Sequence, residues 1–319
     1  MTKTNHPFFI NYAFKQAQIM ESTGHERCAE TYISAAKSFR QFLENKDIPI
    51  AQLESRTIKA YESFLTAKGL SMNTVSFYMR NLRAIYNHAV EENLAEQHFP
   101  FKRTYTGICK TVKRAVSIDT IQKIASLDYS VFPDLEFSAD IFLFSFYTRG
   151  TAFVDIAYLQ HKNIKNGYLT YHRKKTGQRI TIRWERCMAE IVEKYHNHHS
   201  ASPYLLPILK GNNTRTEYLT ASHRLNRNLK KIGQLIDSQT PLTLYVARHS
   251  WASIAHSKQI PIATISEAMG HNSESTTRIY LTSLDNSAVD NANRLVLGCL
   301  GTSLIKRNNY AEFQNIRSV

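Results

Sequence analysis

Cysteine is scarce and scattered in this chain: Cys28, Cys109, Cys187 and Cys299 lie far apart and form no CxxC pair. That spacing argues against a disulfide framework and against a zinc knuckle, and it fits reduced thiols in a reducing compartment. Long apolar runs are missing as well, since nothing approaches the ~20 residues that cross a bilayer. The opening MTKTNHPFF lacks the charged-then-apolar pattern of a secretory leader. Secretion and membrane insertion are therefore not expected, and a cytoplasmic location is. There is no internal repeat and no low-complexity segment. Acidic side chains are in deficit, with 26 Asp+Glu against 40 Lys+Arg and a formal net charge of +14. Residues 1–112 hold 14 basic and 10 acidic side chains and the remainder holds 26 and 16. The excess is thus spread along the chain rather than gathered in a tail. A soluble protein this basic suits a polyanionic partner, because neutralising phosphates releases counterions.

What the chain does have is enough apolar material, 43% hydrophobic over 319 residues, to build about two folded domains. The first hundred residues read as a small four-helix domain. From Ser71 to Asn93, apolar residues recur at Val75, Tyr78, Met79, Leu82, Ile85, Tyr86, Ala89 and Val90, one face of a helix that Ser71 can cap. Thr57 to Lys68 carries Ile58, Tyr61, Phe64 and Leu65 on one side and stops before Gly69. Phe8–Met20 and Glu26–Leu43 are helical by the same test. Lys59, Lys68, Arg80 and Arg83 fall on the other faces as solvated charge. Periodicity lapses between His98 and Lys113, where Lys102, Arg103, Lys110 and Lys113 accumulate with Arg114 just beyond. This reads as a basic linker able to lie along a phosphate backbone. A new helix is expected near Ser117, and the rest is mainly helical with one exception. Tyr168–Arg173 and Arg179–Arg183 alternate apolar and polar residues around Lys174-Lys175-Thr176-Gly177-Gln178, the pattern of a β-hairpin.

Three stretches of the second half can carry chemistry: Tyr147-Thr148-Arg149-Gly150 followed by Asp155; Leu242 to Ser250 with Tyr245, Arg248 and His249; and Met269-Gly270-His271 followed by Tyr280. Singly each has a plain structural explanation. Together, two arginines, a histidine, a hairpin lysine and a tyrosine suit a phosphodiester. Guanidinium groups match phosphate oxygens with paired hydrogen bonds and stay charged, and they stabilise a pentacoordinate phosphorane. A tyrosine hydroxyl can attack phosphorus and hold the strand as an ester, while a lysine can protonate the leaving 5′ oxygen. The ester conserves the bond energy, so no nucleotide, metal or other cofactor is needed.

The ordered set of Arg, hairpin Lys, Tyr-x-x-Arg-His, Gly-His and a Tyr nine residues on resembles the tyrosine recombinases of the phage integrase family, most specifically in MGHNSESTTRIY at Met269–Tyr280. The Arg149-Gly150…Asp155 variant resembles recombinases of the Bacteroides type. The resemblance implies a mainly α, two-domain DNA clamp with a small β-hairpin or sheet. A helical SAM-like core-binding domain would occupy residues 1–108 and a basic linker 109–116. The catalytic domain would span 117–300 and a C-terminal tail 301–319.

By the same resemblance, Arg149 and Arg248 would bind the scissile phosphate and Lys175 would be the general acid, with Lys174 its unresolved rival. His271 would hydrogen-bond the phosphate and Tyr280 would be the nucleophile. Asp155 and His249 would support the site, and Lys102, Arg103, Lys174, Arg80 and Arg83 would contact DNA. Tyr245 stands where histidine or lysine is usual. A phenol of pKa ~10 is a poor base near neutral pH, so a hydrogen-bond donor there must suffice, His249 or His271 must compensate, or turnover is slow; the first is the favoured reading. The implied activity is site-specific recombination through a 3′-phosphotyrosine and a Holliday junction, leaving open whether the outcome is integration, excision or inversion. The implied partners are duplex DNA at specific sites, a second copy of the chain on each site and four copies in the synapse, with room for accessory DNA-bending proteins. With no obvious arm-site-binding domain in the short N-terminal stretch, a simple recombinase, for instance one that inverts a segment or resolves dimers, is expected rather than a large phage integrase complex.

A C-terminal helix with Ala288, Val289, Ala292, Leu295, Val296 and Leu297 on one face would pack into a neighbouring subunit. His196, His198 and His199 lack ligand-spaced partners and fit a polar helix end better than a metal site. The rival classes are a catalytically impaired DNA-binding regulator of the same fold, suggested only by Tyr245, and a type IB-like topoisomerase, which would relax supercoils without pairing two sites.

Overall fold

The computed structural model describes residues 7–109, 114–196, 203–211 and 214–278, together with Leu281. The chain forms two compact units, Met1–Thr111 and Val112–Val319.

In the first unit, α1 (Phe9–Ser22), α2 (Glu26–Phe42), α3 (Ser55–Ala67) and α4 (Met72–Glu91) enclose one core. Ser71 caps α4 by accepting from the Thr74 amide, and Val75, Met79, Leu82, Ile85, Tyr86 and Ala89 are its buried face. A cap of this kind contributes ~1 kcal/mol, whereas each fully buried apolar side chain contributes ~1.5–3 kcal/mol. Burial therefore decides where the helix lies and the cap decides where it starts. α1 has no cap in its own sequence. Its first amides are satisfied from afar, Ile10 at 2.9 Å and Asn11 at 3.0 Å by the Asp47 carboxylate, and Phe9 at 2.8 Å by the Ile48 carbonyl. Phe39 and Tyr61 meet edge to face at 4.9 Å in the centre of this core.

The segment after α4 is irregular, as its broken periodicity implies, yet residues 98–109 pack on this unit. Phe101 is buried, the Tyr105 amide donates to Glu62 at 2.7 Å, and Cys109 and Asn73 exchange two hydrogen bonds.

The second unit is built around α6 (Pro133–Tyr147), whose residues Leu135 and Ser138–Ser145 are buried on every side. Around it lie α5 (Ile118–Ser126), capped by Ser117, then α7 (Phe153–Ile156), α8 (Arg186–Tyr195), α9 (Arg215–Leu235) and α10 (Leu244–Ser257), followed by α11 (Ile262–Ala268) and α12 (Glu274–Arg278). The expected hairpin is present as β2 (Tyr168–His172) and β3 (Arg179–Arg183), antiparallel with Thr170 opposite Thr181. A third strand, β1 (Ile164–Lys165), extends it to an antiparallel sheet in the order β1-β2-β3. Two residues are too few to display alternation, which is why this strand leaves no sequence signal. Val116 donates its amide to the Ser250 hydroxyl at 2.9 Å and so ties the start of the unit to α10.

Candidate active site

Helix α6 ends in a Schellman-type cap, with Arg149 N–H on the Phe146 carbonyl and Gly150 N–H on the Ser145 carbonyl. The left-handed position of such a cap usually holds glycine. Here Arg149 occupies it at φ 61°, and Gly150 follows at φ 71°. A non-glycine residue held there is strained, and the turn aims Arg149 toward β3, with its guanidinium 3.5 Å from the Thr181 carbonyl.

Gly150 lies directly against α10. A Cβ built on it would come within 2.9 Å of the Arg248 Cα. Arg248 is only 3% exposed. Its guanidinium donates to the Gly150 carbonyl at 2.5 Å and to the Met269 carbonyl at 2.8 Å, and it lies 2.7 Å from His271 Nε2. Because a guanidinium can only donate, Nε2 is the acceptor. His271 then carries its proton on Nδ1 and gives it to the Thr277 hydroxyl at 2.8 Å. Burial, and then the charges of Arg248, Arg173 and Lys175, push the His271 pKa down to about 4. The imidazole is therefore neutral at physiological pH.

The hairpin turn adds its cations from the other side. Arg173 pairs its O and N–H with Gly177 and Gln178 at the base of the turn. Lys174 donates its amide to Asp155 at 2.8 Å, and its ammonium rests 3.2 Å from the centre of the Tyr158 ring. Desolvation lowers the Lys174 pKa. Asp155 is buried, which raises its pKa against the opposing pull of the Lys174 amide, Arg173 and Arg248. Lys175 is exposed beyond these anchors. Arg149, Arg179 and Thr181 line a cleft of about 560 Å³ floored by α11.

The model of the phage integrase SAM-like domain matches residues 8–106, and that of the phage integrase family matches residues 141–287. The chain belongs to the phage integrase family of tyrosine recombinases. It is a DNA strand transferase whose activity is site-specific recombination. Tyrosine recombinase XerA of Pyrococcus furiosus is 25% identical over 243 residues, which is 75% of this chain and 79% of that protein. Among solved structures, a lambda integrase dimer bound to a core site matches with a TM-score of 0.66 at 19% identity over 86% of this chain and 95% of that one. A lambda integrase tetramer bound to a Holliday junction gives 0.68 at 18% identity, over 88% and 78%. The Tn1549 transposon integrase with circular intermediate DNA gives 0.59 at 16%, over 90% and 99%.

Within the second unit of this recombinase, the fold gathers Arg149, Asp155, Lys174, Lys175, Arg248, His249 and His271 from segments far apart in sequence. Tyr245 lies one turn before His249 on α10, is 53% exposed, and meets the His249 ring edge to face at 4.6 Å. Tyr280 lies outside the described residues; on its two sides Thr277 holds His271 and Leu281 packs with Ala252, Ile265 and Met269. The helix expected at 288–297, the tail, and His198 and His199 also lie outside them. Arg80, Arg83, Lys102 and Arg103 are all exposed on the first unit, where Arg83 and Lys102 flank a cleft of about 470 Å³ with Tyr86 and Phe99. Lys59 and Lys68 of that unit are occupied, Lys59 by Glu62 and Lys68 by the Phe64 ring and Gln41.

Sequence reading passed over one cation, Arg173, which is buried beside Asp155 and donates to the Gly270 carbonyl. Its signal was available. Leu169, Tyr171 and Arg173 share the inward phase of the strand, and a charged side chain in that phase calls for a buried partner.

Proposed function

We propose that this recombinase cuts and rejoins duplex DNA through a 3′-phosphotyrosine on Tyr280. In this reading Arg149 and Arg248 hold the non-bridging oxygens. The Tyr280 oxygen bonds to phosphorus as the P–O5′ bond breaks, and Lys175 gives a proton to the departing 5′ oxygen. The phenol proton passes to solvent, its release favoured by the surrounding cations. His271 steadies Arg248 and can turn to the phosphate, Asp155 anchors the hairpin, and Tyr245 with His249 donates hydrogen bonds at the rim.

The observation that carries this reading is the three-way contact of Arg248 with Gly150, Met269 and His271. It supports the reading because this buried guanidinium is held on Gly150, the residue after Arg149, and on the Met269–His271 segment that precedes Tyr280 in sequence. Lys175 is favoured over Lys174 because the Lys174 ammonium is engaged on Tyr158 and its amide on Asp155, while the charge of Lys175 acts on His271. Two copies would bind each site and four would form the synapse, as in the lambda integrase dimer and tetramer, with the protein acting in the cytoplasm. Accessory DNA-bending proteins would be optional, and a basic linker over residues 109–116 would separate the core-binding domain, 1–108, from the catalytic domain, 117–300.

A nicked suicide duplex carrying the repeats that flank the gene, incubated without metal or nucleotide, tests the proposal. A covalent adduct on a denaturing gel is expected, and Tyr280→Phe should remove it. An adduct that persists in Tyr280→Phe rejects the nucleophile, and tight binding with no adduct favours the regulator.

A further inference from the structure

We infer that Arg173 is a positioning residue for the leaving-group step: it clamps the lysine-bearing turn against the Gly270–His271 turn and so places Lys175 to protonate the 5′ oxygen. The inference rests on the assignment of Lys175 and Tyr280 made above.

Arg173 is 7% exposed. A lone buried cation is costly, and an apolar side chain in phase with Leu169 and Tyr171 would fill the same place without that cost. The cation is instead held from two directions. Its Nε lies 3.8 Å from the Asp155 carboxylate, and its Nη1 donates to the Gly270 carbonyl, one residue before His271. The two turns are pressed together at this point. A Cβ on Gly270, whose φ is +65°, would lie 2.6 Å from the Ile180 Cδ1 and 2.7 Å from the Arg173 Cδ. Asp155 meanwhile takes the Lys174 amide, and the backbone of Arg173 closes the turn on Gly177 and Gln178. The two residues before Lys175 are thus fixed to α7 and to the His271 turn, while Lys175 itself stays exposed. Lys175 follows directly on these two fixed residues, so the direction it takes is set by the Arg173 clamp together with the Lys174–Asp155 bond.

In the step concerned, the P–O5′ bond breaks and a proton moves from the Lys175 ammonium to O5′. If the bridging oxygen is replaced by sulfur, the thiolate leaves without that proton. The experiment uses the full chain and the suicide duplex, made once with bridging oxygen and once with bridging sulfur. Adduct formation is followed for the unaltered protein, Lys175→Ala, Arg173→Lys and Arg173→Met. Arg173→Lys keeps a cation opposite Asp155 in case the apolar variant fails to fold, and thermal melting of each variant checks this.

A general acid contributes ~10²–10⁴-fold, so Arg173→Lys should slow cleavage of the oxygen substrate by at least ~10-fold. On the sulfur substrate it should recover to within about threefold, in parallel with Lys175→Ala. Added to Lys175→Ala, it should slow the oxygen substrate little further. Equal slowing on both substrates would make Arg173 a plain structural support and overturn the inference, as would no slowing on either. If the unaltered protein forms no adduct on either duplex, the Tyr280 assignment itself fails and the inference falls with it.

Discussion

At Gly150 two requirements coincide, a left-handed backbone and the absence of a Cβ that would press on the Arg248 backbone. Backbone atoms cannot swing aside as a long side chain can. Gly150→Ala is therefore expected to cost ~2 kcal/mol or more and to slow cleavage through displacement of Arg248, both measurable by urea unfolding and by adduct formation. His271 gives a pH-dependent counterpart. Its folded pKa of about 4 lies below the ~6.5 of an unfolded chain. Above pH ~6.5 both states are neutral and the contribution of the group to stability is fully present. As pH falls from ~6.5 toward 4, the unfolded state takes up the proton first, and up to ~3 kcal/mol is lost. Urea unfolding of the unaltered protein and of His271→Gln at pH 7 and pH 4.5 should show a difference that shifts in this direction. A pH-independent difference would show that the ring is not held as the neutral acceptor of Arg248.

Among the elements, α4 was legible because its core is on one face and its cap is local. Seven buried residues from Val75 to Ala89 repeat at helical spacing, with Ser71 in front. The central helix α6 is apolar on all sides and shows no preferred face, so its sequence could not say what it packs against. α1 is the intermediate case: its apolar residues marked it, but its cap is Asp47, 37 residues away from Ile10. Asp47→Ala should lower stability by ~1–2 kcal/mol, since two helix amides lose their acceptor. Urea unfolding followed by far-ultraviolet circular dichroism would measure this, and an unchanged midpoint would mean that water replaces the carboxylate without loss. The hairpin was legible from alternation and its Gly177 turn, and the short β1 beside it was not.

For the molecule as a whole, the charge of +14 makes salt the relevant variable. Affinity for a duplex site should fall steeply and linearly in log–log form as salt rises, and replacing both Lys102 and Arg103 by alanine should reduce the slope by about two, if both contact phosphate. An unchanged slope would remove them from the DNA surface. By itself the sequence determined the class of fold, the helical first unit, the hairpin and the family, because periodicity, caps and motif spacing are local and survive in one dimension. Only the tertiary structure decided that Arg248 commits three of its five N–H donors to Gly150, 98 residues away, and to Met269 and His271. It alone decided that Lys174 rests on Tyr158 and that Arg173 joins two turns. Such choices depend on which segments share a low-dielectric interior, where a buried charge must find a partner wherever in the chain it lies.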